Sequence, residues 1–139
     1  MAVDEAKLAT TNAVHGDETV LVVEDQEAVR RLTRTILEEH GYRVLEAASG
    51  AEAHAVARGH AGEIDLLLTY VVMPGMDGRA LSEQLRDLRP NLRVILMSGY
   101  AEDLIAHGDA LASGLAYIQK PFRPEELATK VRGILDSRK

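Results

Sequence analysis

Five short apolar runs recur along the chain: VLVV from Val20, YRVLEA from Tyr42, IDLLLTY from Ile64, RVILMS from Arg93 and LAYIQ from Leu115. Their starts lie 22, 22, 29 and 22 residues apart, which leaves room each time for one helix and two short loops. The runs are apolar throughout rather than alternating, as in parallel strands covered on both faces. The spacing therefore predicts an α/β fold: a doubly wound domain of five parallel strands and five helices. Such folds place their chemistry at the C-terminal ends of the strands.

The intervals carry helical signals. Ala28, Val29, Leu32, Ile36 and Leu37 share one face at 3.6-residue spacing, and Gly41 stands where a glycine would end that helix. Leu81, Leu85 and Leu88 repeat the pattern before Pro90. The last helix opens on Pro124, has Glu125 and Glu126 in its first turn, and turns Leu127, Val131, Ile134 and Leu135 inward. The second interval offers only a weak face of Ala51, Ala53, Ala55, Val56 and Ala57, and in the fourth Gly108 interrupts Leu104 to Leu111. Residues 1–18 lack apolar periodicity and read as a tail or linker, leaving 19–139 as the domain.

With 139 residues the chain can bury one self-sufficient core. Sixteen Lys and Arg against 22 Asp and Glu leave a net charge of −6, which argues against a general grip on nucleic acid or an anionic membrane surface. The absence of cysteine removes disulfides, thiolate metal sites and thiol nucleophiles, and suits a reducing cytoplasm. His15, His40, His54, His60 and His107 are scattered without metal-ligand spacing. No stretch approaches the ~20 apolar residues of a membrane span, and Asp4 and Glu5 stand where a signal peptide would be basic.

The predicted strand ends deliver Glu24 and Asp25, then Thr69 and Tyr70, then Ser98 and Gly99, and finally Lys120 followed by Pro121. Two adjacent carboxylates on a strand-to-helix loop suit a hard divalent cation such as Mg²⁺; the plainer reading makes Asp25 the cap of the first helix. Lys120, at the end of an apolar strand, must project into solvent or find an anionic partner, either a structural carboxylate or a phosphate that Ser98 and backbone amides also bind. Gly75 and Gly78 read as turn residues, and neither a G-x-G-x-x-G loop nor a Walker pattern is present.

VLVVEDQEAVRRLTRTILEEHGYRV, LLLTYVVMPGMDG, VILMSGY and YIQKPF resemble, in order and spacing, the receiver domain of two-component response regulators over residues 19–136. GDETVLVVEDQEAVRR and MSGYAED further resemble receivers attached to hybrid histidine kinases. The resemblance implies a flavodoxin-like sheet of order 2-1-3-4-5 and a signalling module, not an enzyme, that takes a phosphoryl group from a histidine kinase or histidine phosphotransfer protein. It implies that Glu24, Asp25 and the Val72 carbonyl hold Mg²⁺, that Ser98 and Lys120 contact the phosphoryl group, and that Tyr117 is the aromatic switch. Pro74, Gly75 and Pro121 enter as structural residues. The switching surface would be the fourth helix, fifth strand and fifth helix, facing an output partner or a second copy.

One residue departs from the family pattern. The phosphoryl-accepting aspartate belongs at the end of the third strand, where this chain has Tyr70. A phenol, with a pKa of ~10 against ~3.9 for aspartate, brings neither a charge nor a good nucleophile at neutral pH. It supplies no carboxylate to the metal, so Mg²⁺ binding should weaken, and Asp65 and Asp77 are too far along the chain to replace it. Retention of the surrounding site points to a substituted working receiver held in its resting state with Tyr117 turned to solvent. A natural pseudo-receiver that binds partners without phosphorylation is the first alternative, and a Mg²⁺-dependent phosphatase-like α/β enzyme the weaker one.

Overall fold

A computed structural model describes residues 16–70, 72–73, 76–98, 116–119 and 122–136. The chain runs β1 (Thr19–Val23), α1 (Glu27–Glu39), β2 (Arg43–Ala47), α2 (Gly50–Gly59), β3 (Leu66–Tyr70), a two-strand ribbon of β4 (Val72–Met73) and β5 (Met76–Asp77), α3 (Gly78–Leu88), β6 (Arg93–Ser98), β7 (Ala116–Gln119) and α4 (Pro124–Asp136). The main sheet has the order β2-β1-β3-β6-β7 with all neighbours parallel. The helix expected around Leu104 to Leu111 lies outside the described residues.

Alternation along each strand explains why the runs are apolar throughout. Val20 and Val22 of β1, Leu66 and Leu68 of β3, and Ile95 and Met97 of β6 pack with Ile36 and Leu37 of α1 and Leu127, Val131 and Leu135 of α4. Leu21, Val23, Leu67 and Leu96 point the other way, onto Ala53 and Ala57 of α2 and Leu81 and Leu85 of α3. Successive side chains thus serve two cores, and each fully buried leucine contributes about 1.5–3 kcal/mol.

Each helix end has a local chemical cause. Gly41, with φ of 92°, lets its own amide bond Glu38 and that of Tyr42 bond Leu37, the paired closure that glycine permits after a helix. Ser49 accepts from the Glu52 amide at 3.2 Å while Glu52 accepts from the Ala48 amide at 2.9 Å, starting α2. Arg89, just past α3, donates to the carbonyls of Ala57, His60 and Gly62 at 2.8–3.0 Å and so closes the far end of α2.

Two large side chains expected inward are not, and Ala28 at the start of α1 is exposed as well. Leu32 is 60% exposed and Leu88 43% exposed. On α1 the inward position belongs instead to Thr33, whose hydroxyl donates to the Val29 carbonyl at 2.9 Å and so removes its polarity from the core. Leu88 is the last residue of α3, and the core it was expected to join takes Leu85 and Leu92 on either side of it.

Candidate functional site

Strand register, independent of side chains, brings the expected ends into one row. Val23 lies opposite Thr69, Tyr70 opposite Met97, and Met97 opposite Ile118. Continuing the β1–β3 register one residue past the Val23–Thr69 pair puts Glu24 level with Tyr70, while Ser98 ends β6 opposite Gln119. Tyr117 lies in β7 opposite Leu96. The side chains of Ser98 and Tyr117, and Pro74, Gly75, Lys120 and Pro121 altogether, lie outside the described residues.

The β1–α1 corner holds the acidic pair. Glu24 is 1% exposed, and one of its carboxylate oxygens accepts from the Gln26 amide at 3.2 Å. Asp25 is exposed and does not cap the helix: the cap position is Gln26, whose side chain makes no capping bond. The structural reading of Asp25 thus fails, and its carboxylate is turned to solvent beside a buried one. The corner is fastened from the next turn of α1, where Arg30 Nη1 donates to the Glu24 carbonyl at 2.8 Å.

Tyr70 is half-buried at the end of β3 and packs against both core layers. The other acidic residues flanking β3 are engaged elsewhere. Asp65 Oδ2 accepts from the Thr19 amide at 2.9 Å at the opposite edge of the sheet, and Asp77 Oδ1 accepts from the Arg79 amide at 2.8 Å to cap α3. Val72 sits two residues past Tyr70, its backbone paired with Asp77 in the ribbon.

The donor chemistry at this corner is two adjacent carboxylates, a set that suits a hard cation keeping several waters. Among the described residues, no group of three or more His, Cys, Asp or Glu is placed to hold a metal. Glu24 and Asp25 offer such an ion two anionic oxygen ligands.

Sequence reasoning missed the residues that support this corner. Arg30 Nε also bonds Glu46 Oε1 of β2 at 3.1 Å, and Arg34 Nη1 bonds the other oxygen of the same carboxylate. Burial pushes the Glu46 carboxyl up, but the hydrogen bonds from Arg34 and Arg30 outweigh it and hold the group below its ordinary range. The only advance signal was a pair of arginines one helical turn apart.

Residues 20–132 match the response regulator receiver domain family. The chain is 40% identical over 98% of its length to the sensor kinase CckA of Brucella abortus, of which it spans only 14%. It also resembles the crystal structure of the receiver domain from the hybrid histidine kinase CckA, at 36% identity and a TM-score of 0.70 over 84% of this chain and 98% of that one. A third relative is the response regulator TrrA of Thermotoga maritima, solved in complex with Mg²⁺-BeF, at 28% identity and a TM-score of 0.71 over 84% of this chain and 98% of that one. Sheet order, acidic corner and family match agree: the chain belongs to the response regulator receiver domains of two-component phosphorelays.

Proposed function

We propose that this receiver domain is defective in phosphoryl transfer because Tyr70 occupies the acceptor position. The observation that carries the reading is the placement of Tyr70 level with Glu24 at the C-terminal edge of the sheet, half-buried and packed against both core clusters. Attack on a phosphoryl donor requires an anionic oxygen there, and a neutral phenol is a poor one. In this reading Glu24, Asp25 and the Val72 carbonyl hold Mg²⁺ more weakly than a complete site would, and the ion would neutralise charge on an incoming phosphoryl group. Ser98 and Lys120 are its contacts and Tyr117 the switch. The relative solved with Mg²⁺-BeF supports the choice of metal.

The partners in this reading are a histidine kinase or a histidine phosphotransfer protein, with an output partner or a second copy on the face that the family forms from its fourth helix, fifth strand and fifth helix. Residues 19–139 act as a cytoplasmic signalling module after a linker, and not as an enzyme; none of the described helices is long and apolar enough to cross a membrane. Packing of the Tyr70 ring into the cores favours a second version, in which the chain binds its partner without phosphorylation.

Intact mass after incubation with acetyl phosphate and Mg²⁺ tests the proposal. The native chain should gain no phosphoryl group, and Tyr70→Asp should gain one. A native chain that becomes phosphorylated overturns it.

A further inference from the structure

We propose that Arg30 and Glu46 form a charge-balanced positioning pair that fixes the Glu24–Asp25 corner for a divalent cation. The inference rests on the Mg²⁺ reading above and extends it to residues outside the acidic pair. Arg30 projects from the first turns of α1 back toward β1, donating Nη1 to the Glu24 carbonyl at 2.8 Å and Nε to Glu46 Oε1 at 3.1 Å. Its side chain is 15% exposed, so the guanidinium is held in place and not merely tethered at the surface. The Glu24 amide continues the sheet ladder to the Ala47 carbonyl at 3.1 Å, and its carboxylate takes the Gln26 amide. The sheet ladder, the Gln26 amide and Arg30 thus all bear on the Glu24–Asp25 peptide.

A cation beside a metal site opposes binding of the metal, and Glu46 answers that problem. Its carboxylate lies against Arg30 and Arg34, and Arg34 is paired in turn with Glu38, so two carboxylates offset two guanidiniums and Arg30 supplies geometry without a net positive charge. Lysine could not replace Arg30, because one ammonium lacks the planar fork that reaches a carbonyl and a carboxylate in two directions. Groups that orient metal ligands commonly change affinity 10- to 100-fold when removed.

The test uses Arg30→Met, Arg30→Lys and Glu46→Gln in the native chain and in the Tyr70→Asp chain, with Mg²⁺ titrated against the Asp25 amide shift. Arg30→Met should weaken Mg²⁺ by about tenfold. Arg30→Lys should not restore it, and Glu46→Gln should weaken it most at low salt. Equal Mg²⁺ affinity in Arg30→Met and its parent overturns the inference. If the Tyr70→Asp parent itself fails to bind Mg²⁺, the functional reading falls instead. Hydrogen exchange in the metal-free chains then decides the brace: faster exchange of the Gln26 amide in Arg30→Met upholds it, and unchanged exchange overturns it.

Discussion

Arg132 of α4 holds Glu18, the residue before β1, through two parallel bonds: Nη1 to Oε1 at 3.0 Å and Nη2 to Oε2 at 2.7 Å. The guanidinium also reaches Asp136 Oδ1 and the Tyr42 hydroxyl, and Gly16 donates its amide to the His40 carbonyl. The lead-in to the first strand is thereby tied to the last helix. The bond from Arg132 holds the Glu18 carboxyl below its usual range, against the opposing push of burial. A carboxyl lowered in the folded state stabilises fully above its unfolded pKa and loses that contribution as pH falls through the folded value. Arg132→Met should therefore cost about 1–2 kcal/mol at pH 7, and the gap to the native chain should close in acid below pH ~4. Urea denaturation at a series of pH values checks it, and a gap independent of pH counts against the pair.

Much of this architecture was legible because buried parallel strands need apolar residues on both faces. Val20 to Val23 feed the two cores alternately and leave a continuous run, and Gly41 announced a left-handed helix end that the structure shows. The inward face of α1 was misread at Ala28 and Leu32, which are exposed, and at Thr33, which is polar by composition yet buried with its hydroxyl on the Val29 carbonyl. In the site, Glu24, Asp25 and Tyr70 were visible as strand ends. Arg30 and Glu46 were not, because a contact between a helix and an edge strand 16 residues apart leaves no periodic trace.

Two glycines should respond oppositely to alanine. A methyl group at Gly133, on the exposed side of α4, would meet nothing within 4 Å. Gly133→Ala should stabilise by about 0.5–1 kcal/mol, because alanine loses less backbone entropy in a helix. At Gly16 the same methyl would stand 2.5 Å from Arg132 Nη1, Glu18 Oε1 and the Tyr42 ring. Gly16→Ala should destabilise by displacing the clasp, and thermal melts of both variants provide the comparison.

Arg89 is a second site where lysine should not substitute. Its bonds to Ala57, His60 and Gly62 satisfy carbonyls that the end of α2 leaves without helical partners. Arg89→Ala should cost about 1–3 kcal/mol, and Arg89→Lys should recover less than half of it, since a single ammonium cannot span the three carbonyls. Recovery of full stability by lysine would show that charge alone closes this helix.

Tyr70→Asp should trade stability for metal dependence. The ring packs against both core layers at the sheet edge, so its removal sacrifices apolar contacts on two sides. The new carboxylate would stand level with buried Glu24 and beside Asp25, adding like-charge repulsion. Without metal, the variant should be less stable than the native chain by about 1–3 kcal/mol. Mg²⁺ bound only by the folded state reverses this: at a hundred times its dissociation constant it restores about 2.7 kcal/mol. The melting temperature of Tyr70→Asp should therefore rise with Mg²⁺ over a range in which the native chain barely responds. Calorimetric melts of both chains across a Mg²⁺ series give the answer. A Tyr70→Asp chain as stable as the native one without metal, or equally indifferent to Mg²⁺, would show that Tyr70 does not stand where the third metal carboxylate belongs.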